Sequence, residues 1–99
     1  MTIQKTDDET TVWAFEGRLD VTTGPQLQRE LEAIWDNFHK DLVFDFTDLI
    51  YISSAGLRVL LMTKKKASAC GVRFSVTGAN QMIREVFDIT GFSSIIPLE

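Results

Sequence analysis

Ninety-nine residues with 44% hydrophobic content fit one globular domain, large enough for a core and too small for two. A formal charge of −4 argues against nucleic acid or an anionic membrane as the main partner, because phosphate recognition needs a basic face. The single cysteine, Cys70, has no partner for an internal disulfide, no signal-peptide pattern is visible and no apolar stretch approaches the ~18 residues of a membrane span, so a cytoplasmic domain is expected.

No linker, charge block or repeat divides the chain. Residues 2–6 and 10–16 read as strands joined by the polar turn Asp7-Asp8-Glu9; Val12-Trp13-Ala14-Phe15 is apolar on both sides, and Gly17 closes the second strand. Thr22-Thr23-Gly24-Pro25 opens a helix, and Leu27, Leu31, Ile34, Trp35 and Phe38 carry its apolar stripe. Trp13 and Trp35 read as packing residues rather than a nucleotide platform. Leu42-Val43-Phe44-Asp45-Phe46 has the nearly continuous apolar pattern of a strand covered on both faces, and Thr47 to Tyr51 read as a loop. A second helix runs from Ser54 to a stop at Gly71, with Lys64-Lys65-Lys66 as a solvated face. Val72 to Val76 form the next strand, Gly78-Ala79-Asn80 opens a third helix that Gly91 ends, and Ile95-Ile96-Pro97-Leu98 is a candidate edge strand.

The order β-β-α-β-α-β-α, with or without a closing strand, implies an α/β fold: an open, mostly parallel sheet of 4–5 strands with about 3–4 helices, the first strand antiparallel. Functional loops in such sheets lie beyond the carboxyl ends of the strands. Here these are the loops around Asp20, from Asp45 to Ser54, and around Gly78.

Enzyme chemistry finds little support. There is no Walker A pattern, no G-x-G-x-x-G, no C-x-x-C and no H-E-x-x-H, and Ile52 stands where a nucleophile elbow needs glycine. The only histidine, His39, falls at the end of the first predicted helix, opposite the Ser54 loop, where it complements the helix dipole. Asp45 and Asp48 are explained by strand-end contacts and solvation. The pair Ser53-Ser54 has a purely structural explanation, a serine N-cap, with Ser54 as the capping residue. The same place suits a switch. A phosphate on an exposed helix-start hydroxyl meets free N–H groups and adds about −1.5 to −2 charges to the surface at pH 7.

The segment Asp45-Phe46-Thr47-Asp48-Leu49-Ile50-Tyr51-Ile52-Ser53-Ser54-Ala55-Gly56-Leu57 resembles the signature of STAS domains, specifically bacterial anti-sigma factor antagonists. Gly17-Arg18-Leu19-Asp20 and Val86-Phe87-Asp88-Ile89-Thr90-Gly91-Phe92 are similar to two further motifs of that family, in the same order. The resemblance implies a sequentially ordered sheet with helices mainly on one side. It implies phosphorylation at Ser54, with Ser53, where the family often has aspartate, as runner-up. It implies a partner-binding edge of Asp20, Asp45, Ser53, Ser54, Ala55, Gly56 and Leu57. The implied partners are a serine-kinase anti-sigma factor of the histidine-kinase-like ATPase superfamily, which brings its own nucleotide, and a PP2C-type phosphatase. No cofactor or metal is expected in this chain, and the free protein is expected to be a monomer. The other role this family implies is a constitutive scaffold, or an accessory subunit of an ABC-type transporter or signalling assembly.

Overall fold

The computed structural model describes residues 1–99, the side chain of Asn37 excepted. Two strands, β1 (Thr2–Asp7) and β2 (Thr11–Leu19), form an antiparallel hairpin with Ile3 opposite Phe15. They are followed by α1 (Gly24–Glu32), β3 (Leu42–Ile52), α2 (Ser54–Cys70), β4 (Phe74–Thr77) and α3 (Gln81–Thr90). The sheet order is β1-β2-β3-β4, with β2, β3 and β4 mutually parallel. This is the mostly parallel sheet that strand–helix alternation implied, in the sequential order that the family resemblance implied.

One apolar cluster holds the layers together. Trp13 and Phe15 from β2, Phe44 and Phe46 from β3, and Phe74 from β4 meet Leu27, Leu57, Leu60, Ile83 and Phe87 from the helices. Phe44 lies at the centre, its ring 4.8 Å from those of both Phe15 and Phe74 and stacked at 5.9 Å on Trp13. Such pairs contribute about 0.5–1.5 kcal/mol beyond area burial. The alternate side chains Val12, Ala14, Val43 and Asp45 are only half-buried, so the helices cover one face of the sheet. The apolar run at 42–46 therefore does not mark a strand covered on both faces. Val43 is apolar but lies on the open side.

Several boundaries differ from the sequence expectation. β2 continues through Gly17, at φ 107°, to Leu19. β3 runs on to Ile52 where a loop from Thr47 to Tyr51 was expected. Register shifts against β2 leave extra residues on β3 after Asp45 and after Leu49. Each bulge turns the following side chains to the other face, which breaks the period-two pattern without ending the strand. α1 stops at Glu32, and the stripe from Ile34 to Phe38 belongs to a 3-10 turn, Trp35–Asn37, and its flanks. Ile34, Trp35 and Phe38 still pack on the core, because a tighter turn can keep apolar residues on the same side. His39 consequently lies in the connection to β3 and not at the end of a helix. β4 begins at Phe74, two residues later than expected.

The expected glycine stops are present, Gly71 at φ 72° and Gly91 at φ 80°. Residues 95–98 make no strand. Leu98 forms one isolated parallel bridge with Val76, whose N–H donates to the Pro97 carbonyl at 2.9 Å.

Candidate functional site

The ends of β2 and β3 lie side by side, Leu19 paired with Ile52, and the Ser53 N–H donates to the Leu19 carbonyl at 2.9 Å. The chain then turns directly into α2. Gly56 permits the close approach: a Cβ there would stand 2.8 Å from Leu19 Cγ and 2.9 Å from Leu19 O. The loop after Leu19 and the first turn of α2 are thereby pressed together.

That first loop is built by Asp20. Its Oδ1 accepts from the backbone N–H groups of Thr22 at 3.0 Å and Thr23 at 3.2 Å, while its own N–H donates to Thr23 Oγ1 at 2.9 Å. The Asp20 carbonyl accepts from Gly24 N–H at 2.7 Å, which starts α1. The Thr23 backbone N–H bond holds the Asp20 carboxyl below its ordinary value, aided by Thr22, the Thr23 hydroxyl and the Arg18 charge, against a partial desolvation. Asp20 is therefore an anion at neutral pH. Arg18 sits 4.3 Å from the centre of the Tyr51 ring and 3.7 Å from Asp20 Oδ2.

At the second loop the structure corrects the capping residue. Ser53, in extended conformation, is the N-cap of α2: its Oγ accepts from Gly56 N–H at 3.3 Å. Ser54 is the first helical residue and is exposed. A side-chain cap typically has extended backbone angles, and Ser53, leaving the strand at φ −100° and ψ 174°, has them. Within the Ser53–Leu57 segment, Gly56 and Leu57 are buried and Ser53 and Ala55 half-buried, so Ser54 is the side chain presented to solvent. Replacing Ser53 by alanine is expected to cost about 1 kcal/mol of stability, while Ser54→Ala should stay within about 0.5 kcal/mol in urea unfolding. A larger loss for Ser54→Ala than for Ser53→Ala would place the cap at Ser54 after all.

Asp45 lies elsewhere. It pairs with Ala14 and Thr77, whereas Ile52 pairs with Leu19, which separates the two positions by roughly 17 Å, five residues of β2 at about 3.3 Å each. Its Oδ1 accepts from Thr47 N–H at 3.0 Å and Thr47 Oγ1 at 2.6 Å, next to Gly78. The expectation that Asp45 flanks the serine loop is thus corrected. β4 ends opposite Asp45 while β3 continues, so the Gly78 loop sits lower than the Asp20 and Ser53 loops. Asn80 caps α3 through Ile83 N–H at 2.9 Å and donates to the Leu49 carbonyl at 3.2 Å, tying that helix to the bulged part of β3.

Two apolar side chains at this end escaped the sequence reading. Val21, in the Asp20 loop, is 75% exposed, and Ile50, at the second bulge of β3, is 59% exposed. The available signal was an apolar residue between Asp20 and Thr22, in a turn whose neighbours are polar. Trp13 is buried, and Trp35 is half-buried with its ring edge-on to Phe38, as packing residues should be. Among the described residues no group of His, Cys, Asp and Glu is arranged to hold a metal ion, and no helix is long and apolar enough to cross a membrane.

A family model described as STAS domain matches residues 2–99. The chain is 37% identical over 84 residues, covering 85% of itself and 72% of the relative, to BtrV of Bordetella bronchiseptica, described as an anti-sigma factor antagonist. It is similar to the crystal structure of an anti-sigma factor antagonist from Mycobacterium paratuberculosis at a TM-score of 0.87, with 26% identity over 98% of this chain and 83% of that one. The fold is shared, at a TM-score of 0.76 and 21% identity over 99% of this chain and 91% of that one, with the phosphorylated form of SpoIIAA, a Bacillus cell fate determinant. A match over residues 2–99, joined to a sequentially ordered sheet with its helices on one face, establishes that the chain belongs to the STAS domain family.

Proposed function

We propose that this protein is an anti-sigma factor antagonist that works by partner switching, with Ser54 as the residue that sets its state. The unphosphorylated form binds a serine-kinase anti-sigma factor of the histidine-kinase-like ATPase superfamily and releases that factor's target. The kinase transfers phosphate from ATP to Ser54, which ends the association, and a PP2C-type phosphatase restores the free hydroxyl. The nucleotide and its Mg²⁺ belong to the kinase; this chain supplies an acceptor and a surface and no catalytic group.

The observation that carries this reading is the division of labour between the two serines. Ser53 has its hydroxyl oxygen engaged by Gly56 N–H and is half-buried, while Ser54 stands exposed on the first turn of α2 beside the Asp20 loop. The first amides of a helix have no partner within it, so phosphate on Ser54 is compatible with the fold. The anti-sigma factor antagonist names of BtrV and of the Mycobacterium protein support the same reading. The binding surface comprises Asp20 and the segment Ser53 to Leu57, with Val21 and Ile50 as apolar contacts.

Incubation with the cognate kinase and ATP, followed by mass spectrometry of the peptide containing residues 53 and 54, is expected to find phosphate on Ser54 and the complex dissociated. A complex that stays intact with ATP, with neither serine modified, would instead assign the chain to the constitutive scaffold role.

A further inference from the structure

A cavity of ≈ 410 Å³ over Trp13 and Phe38 presents lysines that are already neutralised, Lys5 by Glu30 at 2.7 Å and Lys40 by Asp7 at 2.8 Å. The start of α2 offers a free cation instead.

We propose that Arg58 is the internal receptor of the Ser54 phosphate, so that modification both adds negative charge and withdraws a positive side chain from the binding surface. This rests on the reading of Ser54 as the phosphoacceptor. Ser54 is the first residue of α2 and Arg58 stands one turn further on, a spacing that puts their Cβ atoms about 5–6 Å apart on one strip of the helix. Both are exposed. Among the described residues Arg58 enters no ion pair. The other arginine at this end, Arg18, is held over the Tyr51 ring and beside Asp20.

The orientation is favourable as well. An anion N-terminal to a cation at this spacing is the better of the two orders, since each then sits on the side of the helix dipole that suits it. A guanidinium offers parallel N–H donors that match two phosphate oxygens, which a point-like ammonium does not. The neighbouring elements do not compete for the phosphate. The Asp20 carboxylate is engaged by the Thr22 and Thr23 amides and lies 3.7 Å from Arg18, and Gly24 of α1, which packs near Ala55 and Val59, brings no charge. In the unmodified protein Arg58 is open to an acidic group on the partner; in the modified protein the phosphate engages it.

The test installs phosphoserine at position 54 of the full chain by codon suppression and follows its second ionisation by ³¹P NMR. Because no kinase is involved, failure here is distinct from failure of Ser54 to be a kinase substrate. Arg58→Gln is expected to raise the phosphate's second pKa by roughly 0.3–0.5 unit over the native chain, since the dianion loses its nearest cation. Arg58→Lys should recover part of that shift, and Arg18→Gln should move it less than Arg58→Gln does. An unchanged pKa in Arg58→Gln, or a larger shift in Arg18→Gln, overturns the assignment. A merely structural role for Arg58 would alter unfolding and leave the phosphate resonance where it was.

Discussion

Ser54→Asp is expected to weaken the complex with the proposed kinase partner by about 10- to 100-fold while leaving the domain as stable as before. The two effects separate because the same charge meets two environments. Inside the chain, a carboxylate at the first position of α2 faces unpaired amides and the positive end of the helix dipole, an interaction worth about 0.3–1 kcal/mol in favour of the fold. At the interface, that carboxylate must lose water against a surface shaped for a neutral hydroxyl. A loss of about 1.4–2.8 kcal/mol corresponds to the stated range of affinity. Calorimetric titration of the partner, paired with urea unfolding of the free protein, measures both quantities. Native affinity in the variant would rule out charge at this position as the switch, and a large loss of stability would show that the position is structural.

The second large effect is on stability. Glycine to alanine within a helix ordinarily stabilises by about 1 kcal/mol, but Gly56→Ala is expected to destabilise by about 2–3 kcal/mol. The added methyl would lie 2.8 Å from Leu19 Cγ, 3.0 Å from Ile52 Cγ1 and 2.9 Å from the Leu19 carbonyl oxygen. The first two are side-chain atoms that can turn. The third is main chain, and its oxygen also accepts the Ser53 N–H. Relief therefore requires β2 and α2 to move apart, carrying the Asp20 loop away from Ser54. The variant should lose partner affinity together with stability, and a variant as stable as the native chain in urea would mean that this contact is not tight in solution.

Much of this was readable from residue types. The stops of α2 and α3 follow from Gly71 and Gly91, because few other residues adopt the positive φ that ends a helix this way. The element order follows from apolar periodicity, and the serine loop follows from its position beyond a strand end, reinforced by the family motif. The misreadings have a common origin. Thr47 and Asp48 interrupt alternation as a loop would, yet they belong to a bulged strand whose hydrogen bonds are satisfied by β2, a partner distant in sequence. Because β3 continues through both bulges to Ile52 while β4 ends opposite Asp45, Asp45 and the Gly78 loop lie below the serine edge.

Taken by itself, the sequence determined the class of the fold, the family, and the segment that holds the proposed switching residue, because periodicity, glycine stops and local motifs are properties of neighbouring residues. Only the tertiary structure decided which serine is free. Ser53 leaves β3 in an extended conformation held by the Leu19 carbonyl, so it becomes the cap and Ser54 is left exposed. It also decided that Asp20, from another strand, shares that edge while Asp45, from the same strand, does not. Strand register and close packing at Gly56 set those distances, and both are long-range properties that no local pattern encodes.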